Sequence, residues 1–342
     1  LAGGYTGGWV RLDQAFSPYY LDDNLTVTAL TTLTLLEQVS LTVAGDKGIQ
    51  VDGVMEASRS TILGSDWNGI TVTEDGVIEL ESAQVMGGSL TVGPEAGTAS
   101  IDTTILSSSP LSISGAGSVV MNGGTSLQSD ICVMGNGGSL TVSGTSFTSC
   151  HTSALMLTQS LFSLTNMTLG VGNSKGLHLR GGVGSVTGLN ANDHDGIGAA
   201  VHLEMVDQAV SMSSFAIASG GGAPALSIDH SDGVTISSGT IQGSPAISIS
   251  QSSASLSGID LTSNGTGVGL YIEGLRSDPV AVSNCDFDGY ETAIHLTGDE
   301  GDVEDQSPVL DGNHYHSLTA IVTEGVGFTS ISETFDGTIE AS

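Results

Sequence analysis

A short apolar alternation recurs along almost the whole chain and limits the folds open to it. Each copy reads small–apolar–x–apolar–x, as in GIQVD at 48–52, GITVT at 69–73 and GLYIE at 269–273. The first apolar residue of each copy, called the anchor below, returns every 20–27 residues, about 23 on average. The anchors are Leu25, Ile49, Ile70, Leu90, Leu111, Ile131, Leu155, Leu177, Val201, Leu226, Ile247, Leu270, Ile294 and Ile321.

This alternation is typical of a β-strand, because successive side chains of a strand point to opposite faces. Each period has room for three such segments, separated by bends rich in Ser, Gly and Asn, and none holds a helical pattern of useful length. The circuit closes only if every strand pairs with its equivalent one period on, which predicts a parallel β-solenoid. The alternatives are an antiparallel sandwich, which needs hairpin turns, and a propeller, whose period is about 40 residues.

The GI-x-L alternation followed by a polar bend and a single apolar residue, as in GLYIEG and VAVSNCDFDGYETAIHL, resembles the right-handed parallel β-helix repeat proteins. That class includes pectate lyases and many surface proteins. The resemblance covers residues 25–327 and implies an all-β, right-handed parallel β-helix of about 13–14 coils with three short strands per coil. It implies no particular activity, because enzymes, adhesins and passive stalks share the architecture.

Two terminal segments lie outside the resemblance. Residues 1–24 hold five of the fifteen aromatic residues and are interpreted as an N-terminal cap or as a joint to an upstream domain. Such a cap would cover the unpaired edge of the first coil. Residues 328–342 still alternate and are interpreted as a strand-like tail or the start of a further coil.

The charge and hydropathy of the chain narrow the classes of partner. Thirty-seven acidic residues against six basic ones give a formal net charge of −31, which repels nucleic acids and anionic lipid surfaces. No run of 18 apolar residues is present, so no membrane span is predicted in this segment. Sequons at Asn24, Asn166 and Asn264 are potential glycan acceptors. We predict an extracellular or cell-surface location, with partners that are copies of itself, other surface proteins or glycans.

The three cysteines allow at most one intramolecular bridge. Cys285 takes the small inward position two before Phe287 and is expected to be a free thiol. Cys132 and Cys150 are therefore the one plausible pair. Cys150 lies five residues before the anchor Leu155, and the equivalent position before Ile131 in the preceding coil is Ser126. Ser126 is six residues from Cys132, so this count argues against a direct bond.

Ionisable side chains gather on the outward positions of the later anchor strands. Alternation predicts that the first and third residues after each anchor face outward, and these are mostly uncharged in the early coils. Stacking is expected to place His178 over His202 and Arg180 beside Glu204, a grouping that suits acid–base chemistry or sugar binding. The alternative is an ordinary solvated face with a weak ion pair. This outward strip consists of His178, Arg180, His202, Glu204, Asp229, Tyr271, Glu273 and His295.

Calcium is the one cofactor that the sequence suggests, and none is required. The loop at 298–306 concentrates carboxylates but lacks the spacing of a dedicated calcium loop, so a solvated charge run is the alternative. His314 and His316 share one strand face, although the sequence shows no third metal ligand near them. The calcium candidates are Asp299, Glu300, Asp302, Glu304 and Asp305.

The function predicted from these observations is that of an exported structural or adhesin-like β-solenoid, and self-association into a stalk, filament or lattice is one form of that role. The alternative is a carbohydrate-active β-helix enzyme, a polysaccharide lyase or glycoside hydrolase, or a sugar-binding module that uses the outward strip. Enzymatic activity is left open, and the structural role is favoured.

Overall fold

The computed structural model describes residues 3–5, 7–124, 126–192, 198–219, 222–274, 279–298, 307–336 and 338–341; the side chains of residues 3–5, 126 and 338–341 are left aside. The described chain is almost entirely β and forms a parallel β-solenoid of about 14 turns. It divides into two compact units, Leu1–Thr168 and Leu169–Ser342.

In the first unit each coil supplies an anchor strand, a middle strand and a third strand. A single turn of 3₁₀ helix spans Gln14–Phe16. The anchor strands are Gly3–Tyr5, Leu25–Val27, Gly48–Val51, Gly69–Val72, Leu90–Val92 and Ser153–Thr158, and Leu111–Asn122 and Ile131–Ser143 each run on through the middle strand. The middle strands are Gly8–Leu12, Thr31–Leu35, Val54–Ser58, Val77–Glu81, Thr98–Asp102 and Leu161–Thr165. The third strands are Tyr19–Leu21, Ser40–Val43, Thr61–Leu63, Gln84–Met86, Ile105–Ser107, Ser126–Gln128, Ser146–Phe147 and Thr168–Leu169.

The second unit repeats this plan, and three of its coils merge the middle and third strands. Its anchor strands are Leu177–Arg180, Val201–Glu204, Leu226–Asp229, Ile247–Ser250, Val268–Glu273, Thr292–Thr297, Thr319–Glu324 and Thr338–Ala341. The merged strands are Val210–Ala218, Val234–Gln242 and Ala254–Thr262. The separate middle strands are Val183–Thr187, Ala281–Ser283, Val309–Asp311 and Thr329–Ile331, and the separate third strands are Asn190–Ala191, Asp286–Asp288, His314–His316 and Thr334–Phe335.

The anchors stack in register within each unit, as the alternation predicted. Within each unit the strands of successive coils pair in parallel, as far as their pairing is described; Leu177 lies opposite Val201, and Ile294 lies opposite Ile321. Thirteen of the fourteen predicted anchors are buried. The exception is Ile131, because the register places Val133 between Leu111 and Leu155. The sixth anchor is therefore Val133, two residues later than predicted.

The bends explain why the chain is rich in Ser and Thr. At several of them a residue of positive φ is followed by a buried hydroxyl that donates to the carbonyl two residues earlier. His230 has a φ of 49°, and Ser231 Oγ donates to the Asp229 carbonyl at 2.8 Å. Gln251 and Ser252 repeat the pattern one coil later, with a 2.7 Å bond. Each such hydroxyl adds a second hydrogen bond to a carbonyl at the end of a strand, since the Asp229 and Ser250 carbonyls also accept the backbone amides of residues 205 and 230 from the preceding coil.

Cys132 and Cys150 form a disulfide with their Cα atoms 5.5 Å apart. The sequence count that argued against this bond relied on Ile131 as anchor, and the two-residue correction brings Cys150 closer to Cys132. The carbonyls of Ser129 and Asp130 accept hydrogen bonds from residues 151 and 152, so Cys150 lies beside the bend that leads into Cys132. Cys285 is a free, buried thiol, as predicted.

The terminal segments carry strands of the same parallel kind. Gly3–Tyr5, Gly8–Leu12 and Tyr19–Leu21 each pair in parallel with the equivalent strand of the next coil. Thr329–Ile331, Thr334–Phe335 and Thr338–Ala341 pair likewise with the preceding coil. The interpretation of residues 1–24 as a cap or joint stays a prediction.

Candidate functional site

The outward strip of the second unit lies on consecutive anchor strands, and the parallel register determines which of its side chains are neighbours. His178 is directly opposite His202, and Arg180 is opposite Glu204. Leu177 and Val201, the anchors that directly precede His178 and His202, are buried. The serine coil Ile247–Ser250 divides the strip into an early cluster, built on residues 178–229, and a late cluster, built on residues 271–297.

In the early cluster two imidazoles stack and each meets a carboxylate from the following coil. The rings of His178 and His202 are 4.6 Å apart and nearly parallel. His178 Nε2 lies 3.0 Å from Glu204 Oε2, and His202 Nε2 lies 2.8 Å from Asp229 Oδ2. Ser227 Oγ donates to the same Asp229 oxygen at 3.1 Å. The cluster is therefore a diagonal ladder in which each histidine pairs with an acid one coil on.

Arg180 contributes little to this ladder. Its Nε atom is 3.8 Å from Glu204 Oε1, and about half of its side chain is exposed. Its Nη2 also contacts the Met205 sulfur at 3.6 Å. An exposed pair at this distance is worth less than about 1 kcal/mol. The pairing of Arg180 with Glu204 predicted from stacking is present, but His178 is the closer partner of that carboxylate.

Burial sets the protonation of His178. Desolvation lowers the pKa of this imidazole from its ordinary value of 6.5, and the neighbouring His202 lowers it further, whereas the hydrogen bond to Glu204 acts in the opposite direction. The neutral form is therefore favoured at pH 7. A neutral imidazole that binds a carboxylate through Nε2–H has its Nδ1 atom as an acceptor.

A small cleft opens beside the stacked imidazoles. Its volume is about 220 Å³, and its walls combine the two rings with a lysine, a proline and a serine. Among the described residues that line this cleft, Lys175 is the one lysine or arginine, and the alternation did not point to it because it precedes the anchor strand. The lining residues are Lys175, Leu177, His178, Gly198, Ala199, His202, Pro224 and Ser227.

The late cluster is looser. Tyr271 and His295 meet edge to face, with ring centroids 5.4 Å apart. His295 Nε2 is 3.3 Å from Glu324 Oε1 but is not aligned for a hydrogen bond. Glu273 is exposed on the same strand as Tyr271. Glu324, which sequence reasoning did not include, repeats the diagonal rule of the early cluster because it is the third residue after Ile321.

The other predicted sites are the calcium candidates and the sequons, and the structure adds a groove that was not predicted. The calcium candidates Asp299, Glu300, Asp302, Glu304 and Asp305 lie outside the described residues, so calcium binding stays a prediction. The sequon residues Asn24, Asn166 and Asn264 are all exposed, although Asn24 Oδ1 accepts a hydrogen bond from the Gly48 amide. An open groove of about 650 Å³ in the first unit, lined in part by Asp130, Met134 and His151, was not indicated by the alternation.

Comparisons with known proteins assign the chain to no family. No protein-family model matches the chain, and no curated protein sequence matches it. The structure is similar to the TibC-catalyzed hyper-glycosylated TibA55-350 fragment, at 15% identity over 99% of both chains, with a TM-score of 0.34. It is also similar to the Azotobacter vinelandii mannuronan C-5 epimerase AlgE6 A-module, at 10% identity over 98% of this chain and 89% of that one, with a TM-score of 0.32. At these TM-scores neither likeness carries an argument about function.

The described residues form no helix long and apolar enough to cross a membrane.

Proposed function

We propose that this protein is an exported, surface-exposed β-solenoid with a structural or adhesin-like role. The observation that carries the proposal is the mutual pairing of the ionisable groups in the early cluster of the outward strip. His178 pairs with Glu204 and His202 with Asp229, so these groups satisfy one another from coil to coil. Such a self-paired ladder suits a durable surface, since each buried or half-buried polar group already has its partner.

An extracellular location is supported by the disulfide between Cys132 and Cys150. Disulfides persist in oxidising compartments and are rare where glutathione and thioredoxin keep thiols reduced. The three exposed sequons and the strongly acidic surface accord with the same location. Self-association, or binding to other surface proteins, is the form of activity that we expect of such a module.

The test combines an activity screen with a measurement of assembly. The purified chain is incubated with uronate polymers and neutral polysaccharides, and products are followed as new reducing ends and unsaturated sugars. Sedimentation velocity and negative-stain images at increasing concentration then report self-association. We expect no chain cleavage, together with concentration-dependent assemblies or binding to a surface glycan or protein. Catalytic release of oligosaccharides that is lost on His202→Ala would overturn the structural role.

A second candidate function, sugar binding at the early cluster, is favoured by the 220 Å³ cleft. Its two ring edges, one ammonium and one hydroxyl offer both donors and acceptors beside an apolar proline. The test is a glycan array with the double variant His202→Ala/Glu204→Ala. Ser248→Ala/Ser250→Ala is the matched control, because these serines occupy the equivalent positions of the serine coil. Binding that is lost in the first variant and kept in the control supports the cleft; binding kept in both contradicts it.

A further inference from the structure

Two histidines and an aspartate meet on the third strands near the end of the second unit. His314 and His316 flank the buried Tyr315 on the strand His314–His316, and Asp286 lies directly opposite His314 on the preceding coil. One ligand atom from each of Asp286, His314 and His316 lies within 4.8 Å of the other two. Asp336, on the following coil, places its Oδ2 atom 2.8 Å from His316 Nδ1 and 3.9 Å from His314 Nε2.

The environment of the Asp286 carboxylate also points to a bound cation. Its Oδ1 atom is shielded from solvent and has no hydrogen-bonding partner among the described residues. The nearest imidazole nitrogen, His314 Nδ1, is 4.0 Å away, which is beyond hydrogen-bonding distance. Although 47% of the Asp286 side chain is exposed, its shielded Oδ1 atom has neither water nor a donor of the described residues as a partner, and a cation between it and the two imidazoles would supply one.

The backbone behind these ligands is held firmly. Phe287, Tyr315 and Phe335 stack, with centroid distances of 5.3 and 5.1 Å, and so align the three coils that carry the cluster. The buried Asn313 accepts from the Cys285 amide and donates to the Val282 carbonyl, each at 2.9 Å, immediately before His314. The ligand strands are therefore pre-aligned, and the side chains alone have to move.

We propose that Asp286, His314 and His316 bind one late first-row divalent transition-metal ion, with Asp336 as a fourth ligand or as a hydrogen-bonding support for His316. Imidazole together with carboxylate suits zinc, copper or nickel, whereas calcium and magnesium prefer oxygen ligands alone. Ligand atoms about 2.1 Å from a tetrahedral zinc ion lie roughly 3.4 Å apart. Side-chain rotations that move the ligand atoms by about 1 Å would therefore bring them to the spacing of a tetrahedral zinc site. The ion would join consecutive coils of the solenoid, and the proposal is independent of the adhesin-like role.

The experiment measures Zn²⁺ binding to tag-free protein by isothermal titration, in an excess of Mg²⁺ that saturates the acidic surface. Co²⁺ is used in parallel, because its visible absorption reports nitrogen ligation and tetrahedral geometry. We expect one tight site per chain. His316→Ala and Asp286→Asn should each weaken it by at least about 10-fold, since even changes to groups that only support a ligand typically cost 10–100-fold.

His151→Ala is the matched control, because it removes an exposed histidine of the first unit and should leave the affinity unchanged. Far-UV circular dichroism verifies that the variants fold, and Asp286→Asn preserves side-chain shape. Zn²⁺ should also raise the Tm of the unaltered protein but not that of His316→Ala. The proposal would be overturned if Mg²⁺ abolished Zn²⁺ binding, or if binding persisted unchanged in His316→Ala and Asp286→Asn. Either result would mean that Zn²⁺ associates diffusely with the acidic surface.

Discussion

Removing the Cys132–Cys150 bond is expected to destabilise the coils around it by about 3 kcal/mol. The two cysteines are 18 residues apart, and the chain-entropy model assigns a closed loop of about this length roughly 3 kcal/mol at 25 °C. The structure suggests that this effect is local, because each coil of a solenoid contacts chiefly its neighbours. The variant Cys132→Ala/Cys150→Ala should therefore loosen residues near 107–155 before the rest of the first unit.

Hydrogen exchange resolves this local effect. A loss of about 3 kcal/mol corresponds to a fall on the order of 100-fold in the protection of amides that exchange through opening of these coils. Cys285→Ala is the control, because it removes a buried cysteine that forms no bridge. Thiol titration of the unreduced, denatured chain should return one thiol, and three after reduction. Three thiols without reduction would refute the bond and the argument for export built on it, and unchanged protection in the double variant would refute the entropic reasoning.

Three further predictions concern the backbone, the core and the strip. Gly69→Ala should destabilise the protein more than Gly265→Ala in urea unfolding. Both glycines have a positive φ, a conformation that costs any other residue about 1–2 kcal/mol. Of the two, only Gly69 would place the new Cβ against a backbone oxygen, that of Ser89, at 1.9 Å. Leu226→Ala, at a fully buried anchor, should cost about 2–5 kcal/mol in the same assay, and a loss below 1 kcal/mol would contradict tight stacking. NMR titration of His178 should give a pKa below 6.5 in the folded protein, and His202→Ala should raise that pKa. Because the unfolded chain then binds the proton more readily than the folded protein does, the free energy of unfolding should fall as the pH drops below about 6.5.

Most of the fold could be predicted from the chain alone, whereas the site could be predicted only in part. Alternation identified the outward strip and the stacking of His178 on His202. It did not reveal that Glu204 pairs with His178 more closely than with Arg180, because that choice depends on the side-chain rotamers of neighbouring coils. The third ligand beside His314 and His316 was also missed, since Asp286 is 28 residues earlier in a coil of different length.

The site was harder to predict than the fold because an alternation of period two shows which face of a strand a side chain is on, but not which residue of the next coil lies opposite it. The alternation decides which side chains face inward, a local property that survives a slip of two residues, as at Ile131 and Val133. Register depends instead on how many residues each bend consumes, and the periods vary from 20 to 27. The sequence by itself therefore determined the parallel stacking and the buried face. Only the tertiary structure decided which side chains meet across coils. The disulfide, the histidine–carboxylate diagonals and the Asp286–His314–His316 cluster each join residues whose proximity depends on the path of the chain around the bends.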